Sequence, residues 1–96
     1  MVSFDMQQYR LIFQRMGYSD DSGASLLLRV KWMKAIKSEI ESRKLTQREA
    51  ARLLGVTAPR ICEIWGLRID KFSTDLLVKY LHRLGQEVAV EIKHRN

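Results

Sequence analysis

The chain has 96 residues, of which 46% are hydrophobic and 29% are charged. This length and composition predict one small domain, residues 1–96, and they exclude a disordered chain. The net charge is +6, and residues 25–72 hold eleven basic side chains against five acidic ones. Such a basic middle favours a polyanionic partner, nucleic acid or an acidic membrane surface, and the alternative is a solvated helical surface.

Neither cysteine content nor hydropathy indicates a secreted or membrane protein. Cys62 is the sole cysteine, so an intrachain disulfide is excluded, which suits a reducing cytoplasm. The N-terminus has no basic start followed by an apolar run, and no stretch approaches the ~20 apolar residues of a membrane span. We therefore expect a cytoplasmic protein without membrane association.

Apolar spacing predicts two helices in the first half of the chain. The first covers residues 6–16, and its inward face comprises Met6, Tyr9, Ile12, Phe13 and Met16. Gly17 and the polar residues 19–22 end it, and Ser19 or Ser22 caps the next helix. The second covers about residues 24–43, with a broad core stripe of Leu26, Leu28, Val30, Trp32, Met33, Ile36 and Ile40.

Three further helices and a strand are predicted downstream. Thr46 and Glu49 form a capping box before a helix that ends at Leu54. Thr57 caps the fourth helix, which ends near residues 65–66, and a proline is tolerated in its first turn because the N–H there has no helical partner. Ser73 caps the fifth helix, which stops at residue 85.

The last segment, residues 87–93, changes to a period of two. Val88, Val90 and Ile92 alternate with alanine and charged residues, which predicts a short half-buried strand. A lone strand leaves backbone groups unpaired, so it pairs either with residues 2–5 or with a second copy of the chain. We favour the second copy and expect a homodimer.

Residues 46–66 have the pattern of a helix-turn-helix. Small side chains occur where two helices must cross, a glycine stands at the turn, and apolar residues support the second helix on the first; these are Ala50, Ala51, Gly55, Val56, Ile61 and Ile64. The motif serves DNA binding because an α-helix fits the major groove and its first turns reach base edges.

The helical wheel of the second helix of the motif, which Thr57 caps, defines the candidate site. With Ile61 and Ile64 buried, the predicted base-reading residues are Thr57, Ala58, Pro59, Arg60, Cys62 and Glu63. The predicted phosphate contacts are Gln47, Arg43, Lys44, Arg48, Arg68 and Lys71. The alternatives are an intrahelical pair of Arg60 with Glu63, and solvated surface charges for the others.

Three stretches make the chain resemble a known family: LTQREAARLLGVTAPRI, the upstream IFQRMGYSDDSGASLLLR and the downstream IDKFSTDLLVKYLHRLGQEVAVEI. Together, over roughly residues 12–93, they resemble the XRE-type helix-turn-helix regulators related to phage repressors, and within them the HigA-type antitoxins. The resemblance implies a mainly α, five-helix lambda-repressor-like bundle with a short C-terminal β-strand paired across a dimer. It also implies a sequence-specific repressor of a palindromic operator in double-stranded DNA, paired with a RelE-like or HigB-like ribonuclease toxin.

The chain departs from that family in the residues expected to read bases. Relatives usually carry Ser-Gln-Pro-Arg where this chain has Thr57, Ala58, Pro59 and Arg60. An absent amide at Ala58 removes a bidentate contact to adenine worth ~1–3 kcal/mol of discrimination. The operator is then unlike that of relatives or depends more on DNA shape. Two alternatives stay open: a module that masks a ribonuclease toxin with little DNA binding, and a free-standing regulator.

Catalysis and metal binding are not expected. His82 and His94 lack a neighbouring ligand cluster, which argues against a metal site. The sequence has no nucleophile–base pair, phosphate-cradling glycine loop or paired carboxylates. We therefore expect a protein that is not an enzyme and needs no cofactor.

Overall fold

The computed structural model describes residues 6–94, which form five α-helices and a short 3₁₀ turn. The elements are α1 Met6–Arg15, α2 Asp20–Ser42, α3 Gln47–Leu54, α4 Ala58–Trp65, the turn Ile69–Lys71, and α5 Thr74–Arg83. The prediction of a mainly helical, five-helix protein is confirmed. Helix α2 begins earlier than predicted because Ser19 is the cap, accepting the backbone N–H of Ser22 at 3.2 Å.

Local side-chain chemistry sets the ends of α3. The Thr46 N–H donates to Glu49 Oε1 at 3.0 Å, and the Glu49 N–H donates to Thr46 Oγ1 at 3.1 Å. These two hydrogen bonds satisfy helix-end donors that otherwise lack partners. The Thr46 backbone N–H, and to a lesser degree the Thr46 hydroxyl, also hold the pKa of the Glu49 carboxyl below its ordinary value. At the other end Gly55 has a φ of 72°, the left-handed conformation that glycine adopts without steric cost.

The main core is formed by α2, α3, α4 and α5: α2 packs against α4 and α5, and α3 packs against the same two helices. Its fully buried side chains include Met33 and Ile36 of α2, Leu54, Ile61, Ile64, Leu77 and Leu84. A second, smaller cluster of Phe13, Leu26 and Val30 lies under α1. Helix α4 is therefore anchored in the main core, whereas α1 packs on α2 at the edge of the protein.

Several side chains predicted to face the core are exposed. Ile12 and Met16 are 41% and 63% exposed, because α1 rests on one neighbouring helix and buries only the edge that carries Phe13. Leu28 is 43% exposed, since it is turned roughly 200° from Leu26 around the helix axis. Trp32 is half-buried against the core, and the side chain of Met6 lies outside those the structure describes.

The strand predicted over residues 87–93 is not formed in the described part of the chain. Residues 86–94 have no strand assignment; Val88 is half-buried against the core, whereas Val90 and Ile92 are 72% and 94% exposed. A strand requires a hydrogen-bonded neighbour, and the chain by itself does not supply one from residues 6–94. The alternative partner, residues 2–5, lies outside the described residues.

Candidate nucleic-acid interface

Helices α3 and α4 pack through the small and apolar residues that the sequence places between them. Ala50, Leu54, Ile61 and Ile64 have no exposed surface, and Ala51 is 6% exposed. The left-handed Gly55 turns the chain, and Thr57 then caps α4 by accepting the Arg60 N–H at 3.4 Å. The contact fixes the angle between the two helices, so the outer face of α4 is held rigidly.

The side chains on that outer face are small and only weakly polar. Thr57, Ala58, Pro59 and Cys62 are exposed, as the helical wheel predicted. The Cys62 thiol donates to the amide oxygen of Gln47 at 3.7 Å. The bond joins the first residue of α3 to the middle of α4 and engages the amide oxygen of Gln47, whose side chain is exposed. Gln47 and α4 thus form one continuous exposed surface.

Arg60 is engaged within the protein. Its guanidinium lies 4.0 Å from the centre of the Phe72 ring, and Nη2 donates to the Lys71 carbonyl at 2.9 Å. It also pairs with Glu63 at 3.5 Å, and the two side chains are only 27% and 30% exposed. Arg60 and Glu63 therefore link α4 to the 3₁₀ turn, and this geometry favours the intrahelical pair over a base contact.

The basic residues around the motif divide into two groups. Arg43 is engaged: it pairs with Glu39 at 2.8 Å and donates to the Leu84 carbonyl. The exposed group is Lys44, Arg48, Arg68 and Lys71. Arg68 has a weak exposed partner in Asp70, 3.7 Å away. The four exposed cations remain candidates for phosphate contacts, whereas Arg43 has a structural role.

Two residues that hold the motif are not evident from local sequence patterns. Phe72 forms the platform under Arg60, and Arg83 of α5 donates to the Leu54 carbonyl at the end of α3. Their partners lie 12 and 29 residues away along the chain, so spacing within one helix does not reveal them. The local sequence signal for the role of Arg83 is its place in the basic last turn of α5, where a cation is favourable beside the helix C-terminus.

The described residues contain no group of three or more histidine, cysteine or carboxylate side chains placed to hold a metal ion. No helix within residues 6–94 is long and apolar enough to cross a membrane.

Comparison with known proteins identifies the motif. A family model described as a helix-turn-helix domain matches residues 17–93, which is most of the chain. Neither the curated proteins nor the solved structures contain a match. The matched region includes the packed α3–α4 pair and its exposed face, and the chain therefore belongs to this family of helix-turn-helix domains, which makes it a DNA-binding protein of that class.

Proposed function

We propose that the protein is a cytoplasmic, non-catalytic transcriptional repressor that binds a palindromic operator as a homodimer. The observation that carries the proposal is the continuous exposed surface of Ala58, Pro59 and Cys62 with Gln47 beside them. Small side chains let a helix approach base edges closely, and alanine makes apolar contact with the thymine methyl group. The exposed amide of Gln47 donates to a phosphate at the edge of the groove.

The exposed cations supply the electrostatic part of the proposed interface. Arg48 follows Gln47 in α3, and Arg68 and Lys71 follow α4, so exposed cations precede and follow α4 along the chain. Each cation that neutralises a phosphate releases a condensed counterion, which makes affinity fall as salt rises. Operator binding is accordingly strong at low ionic strength and steeply salt-dependent.

The test begins by selecting preferred duplexes from a randomised library with the full chain. Fluorescence anisotropy then compares three variants on the selected duplex: Gln47→Ala, Ala58→Glu and the control Gln86→Ala. We expect the first two to weaken binding, Ala58→Glu most because it brings a carboxylate to the groove, and the control, an exposed glutamine outside the motif, to change nothing. Equal affinities for all three would remove this surface from the interface.

The homodimer is proposed from the exposed tail. Val90 and Ile92 are apolar, alternate in sequence and are 72% and 94% exposed on the single chain. Pairing residues 87–93 with a second copy would satisfy the backbone and cover both side chains. Val90→Ser with Ile92→Ser is expected to give a monomer by light scattering, whereas Leu53→Ser, a comparably apolar exposed site on α3, leaves a dimer. A dimer that persists in the tail variant would place the interface elsewhere.

An antitoxin role is the second candidate, and an exposed apolar surface favours it. Leu11, Ile12, Met16 and Tyr18 are each more than 40% exposed and lie in α1 or in the residues that directly follow it. Contiguous exposed apolar side chains are typical of protein interaction sites. Together with the resemblance to HigA-type antitoxins, they support a ribonuclease toxin as the partner.

The two roles are separable by experiment. The small protein encoded beside this gene is co-expressed with the chain and tested for co-purification. Ile12→Ser with Met16→Ser is expected to break such a complex and leave operator affinity unchanged, whereas Ala58→Glu does the reverse. A complex that survives the α1 variant would exclude this surface, and absence of any complex would favour a free-standing regulator.

A further inference from the structure

A groove of about 310 Å³ lies between α2 and the 3₁₀ turn, apart from the surface formed by Gln47 and α4. Its size is at the lower end of the range typical of small-molecule sites. The lining residues are Tyr18, Ser22, Ser25, Leu26, Arg29, Ile69 and Asp70. None of these residues belongs to the predicted DNA-contacting set.

Arg29 is the feature of this groove that calls for a ligand. Its Nη1 donates to the Ile69 carbonyl over a long 3.4 Å, and its Nε is buried without an acceptor among the described residues. A guanidinium carries five N–H donors in a planar fork, and leaving them unpaired in a partly buried site is unfavourable. A carboxylate supplies two coplanar oxygens and is the natural partner for such a fork.

The other lining residues indicate which chemical groups the ligand has besides its carboxylate. Ser22, Ser25 and Arg29 follow one another at intervals of three and four residues. The two hydroxyls therefore lie on the same face of α2 as the guanidinium. Asp70 borders the groove from the 3₁₀ turn with a 64% exposed carboxylate. The groove therefore offers a cation and an anion, which matches a small molecule with a carboxylate and an ammonium group.

We propose that this groove binds a free amino acid, with its carboxylate on Arg29 and its ammonium group on Asp70. The ammonium group competes with Arg68, which lies 3.7 Å from the same Asp70 carboxylate. Occupation of the groove frees Arg68 to contact a phosphate, so the ligand strengthens DNA binding. This second consequence rests on the proposed function, whereas binding of the amino acid does not.

Titration of the full chain without DNA tests the site. Isothermal calorimetry compares L-alanine, L-serine and L-leucine with two probes that each lack one charge, propionate and ethylamine. We expect an amino acid to bind more tightly than propionate, and ethylamine not to bind. Arg29→Gln is expected to weaken binding about 10- to 100-fold, the range for losing charge-assisted hydrogen bonds, and Lys31→Gln, an exposed site on the same helix, serves as the unchanged control.

Asp70→Asn is an independent variant at an exposed position. It is expected to abolish the preference for the amino acid over propionate while leaving propionate binding intact. Thermal unfolding of each variant shows whether it is folded, and Arg29→Lys, which keeps the charge but loses the fork, replaces Arg29→Gln if that variant is unstable. Lack of binding by all three amino acids, or equal binding by wild type and the Arg29 variant, overturns the site.

Anisotropy titrations of the selected duplex with and without the bound amino acid test the regulatory consequence. Operator affinity is expected to rise several-fold in wild type and to stay constant in Arg68→Gln. If the amino acid binds without any change in operator affinity, the effector role is refuted and the proposed binding site still stands. A failure of the proposed DNA function would appear instead as no operator binding under either condition, with the calorimetric result unaffected.

Discussion

Replacing Arg60 by glutamine tests whether this side chain holds the recognition helix or reads DNA. The structure assigns it three intramolecular contacts, with the Lys71 carbonyl at 2.9 Å, the Phe72 ring at 4.0 Å and Glu63 at 3.5 Å. Removal of the guanidinium abolishes all three contacts, while the hydrogen bond from the Arg60 backbone N–H to the Thr57 hydroxyl, which caps α4, remains. The variant is therefore expected to loosen the junction between α4 and the 3₁₀ turn without unfolding α4.

The magnitude follows from the individual contacts. The hydrogen bond contributes about 1 kcal/mol, the cation–π contact ~0.5–1 kcal/mol and the partly buried ion pair at most ~1 kcal/mol. One guanidinium makes all three contacts, so the values do not add, and we expect Arg60→Gln to lower the free energy of unfolding by about 1–2 kcal/mol. For a domain of this size, each kcal/mol lowers Tm by about 4–8 °C.

Urea unfolding and anisotropy on the selected duplex are the two measurements. Arg48→Gln is the control for the unfolding measurement alone, because Arg48 is an exposed arginine of α3 and its loss is expected to change stability by less than about 0.5 kcal/mol. If Arg60 is structural, Arg60→Gln loses stability and only a modest part of its operator affinity. Unchanged stability together with a loss of operator affinity of about 100-fold or more would refute this reasoning and make Arg60 a base-reading residue.

Three further predictions concern the core, the cap and the charges. Ile61→Ala empties a fully buried site under α4, so urea titration should show a loss of ~2–5 kcal/mol. Since the folded pKa of Glu49 is lowered, the stability it contributes is present above its unfolded pKa and lost as pH falls through the folded value; acid titrations of wild type and Glu49→Gln should therefore converge at low pH. Lys71→Gln should reduce the slope of log affinity against log salt by about 0.9 per bound protomer if Lys71 meets a phosphate, and an unchanged slope would exclude the contact.

The helix caps illustrate what a local pattern predicts well. The cap residues Thr46, Thr57 and Ser73 each accept a backbone N–H from three residues further along the chain. Donor and acceptor lie within one turn, so residue type and spacing contain all the information that the bond requires. The same holds for Gly55, whose left-handed φ follows from its place at the end of α3.

Contacts between distant residues explain most of what spacing did not predict. Arg43 was expected among the phosphate contacts, yet it donates to a carbonyl 41 residues away, at Leu84. Helical periodicity shows which residues share a face but not whether another element covers it. For the same reason only part of the predicted inward face of α1 is buried: Phe13 is buried, whereas Ile12 and Met16 are exposed.

The internal engagement of Arg43 and Arg60 changes how the proposed interface would recognise DNA. Long donors at both positions would favour direct hydrogen bonding to bases, but the structure uses them to fix α5 and the 3₁₀ turn. On the proposed interface, sequence discrimination then falls to Ala58 and Cys62, which suit thymine methyl groups, and to the shape of the duplex. The Cys62–Gln47 bond places the Gln47 amide beside α4, the helix that has an alanine at position 58. An A·T-rich selected operator is the expected consequence, and a G·C-rich one would show that long side chains outside α4 read the bases.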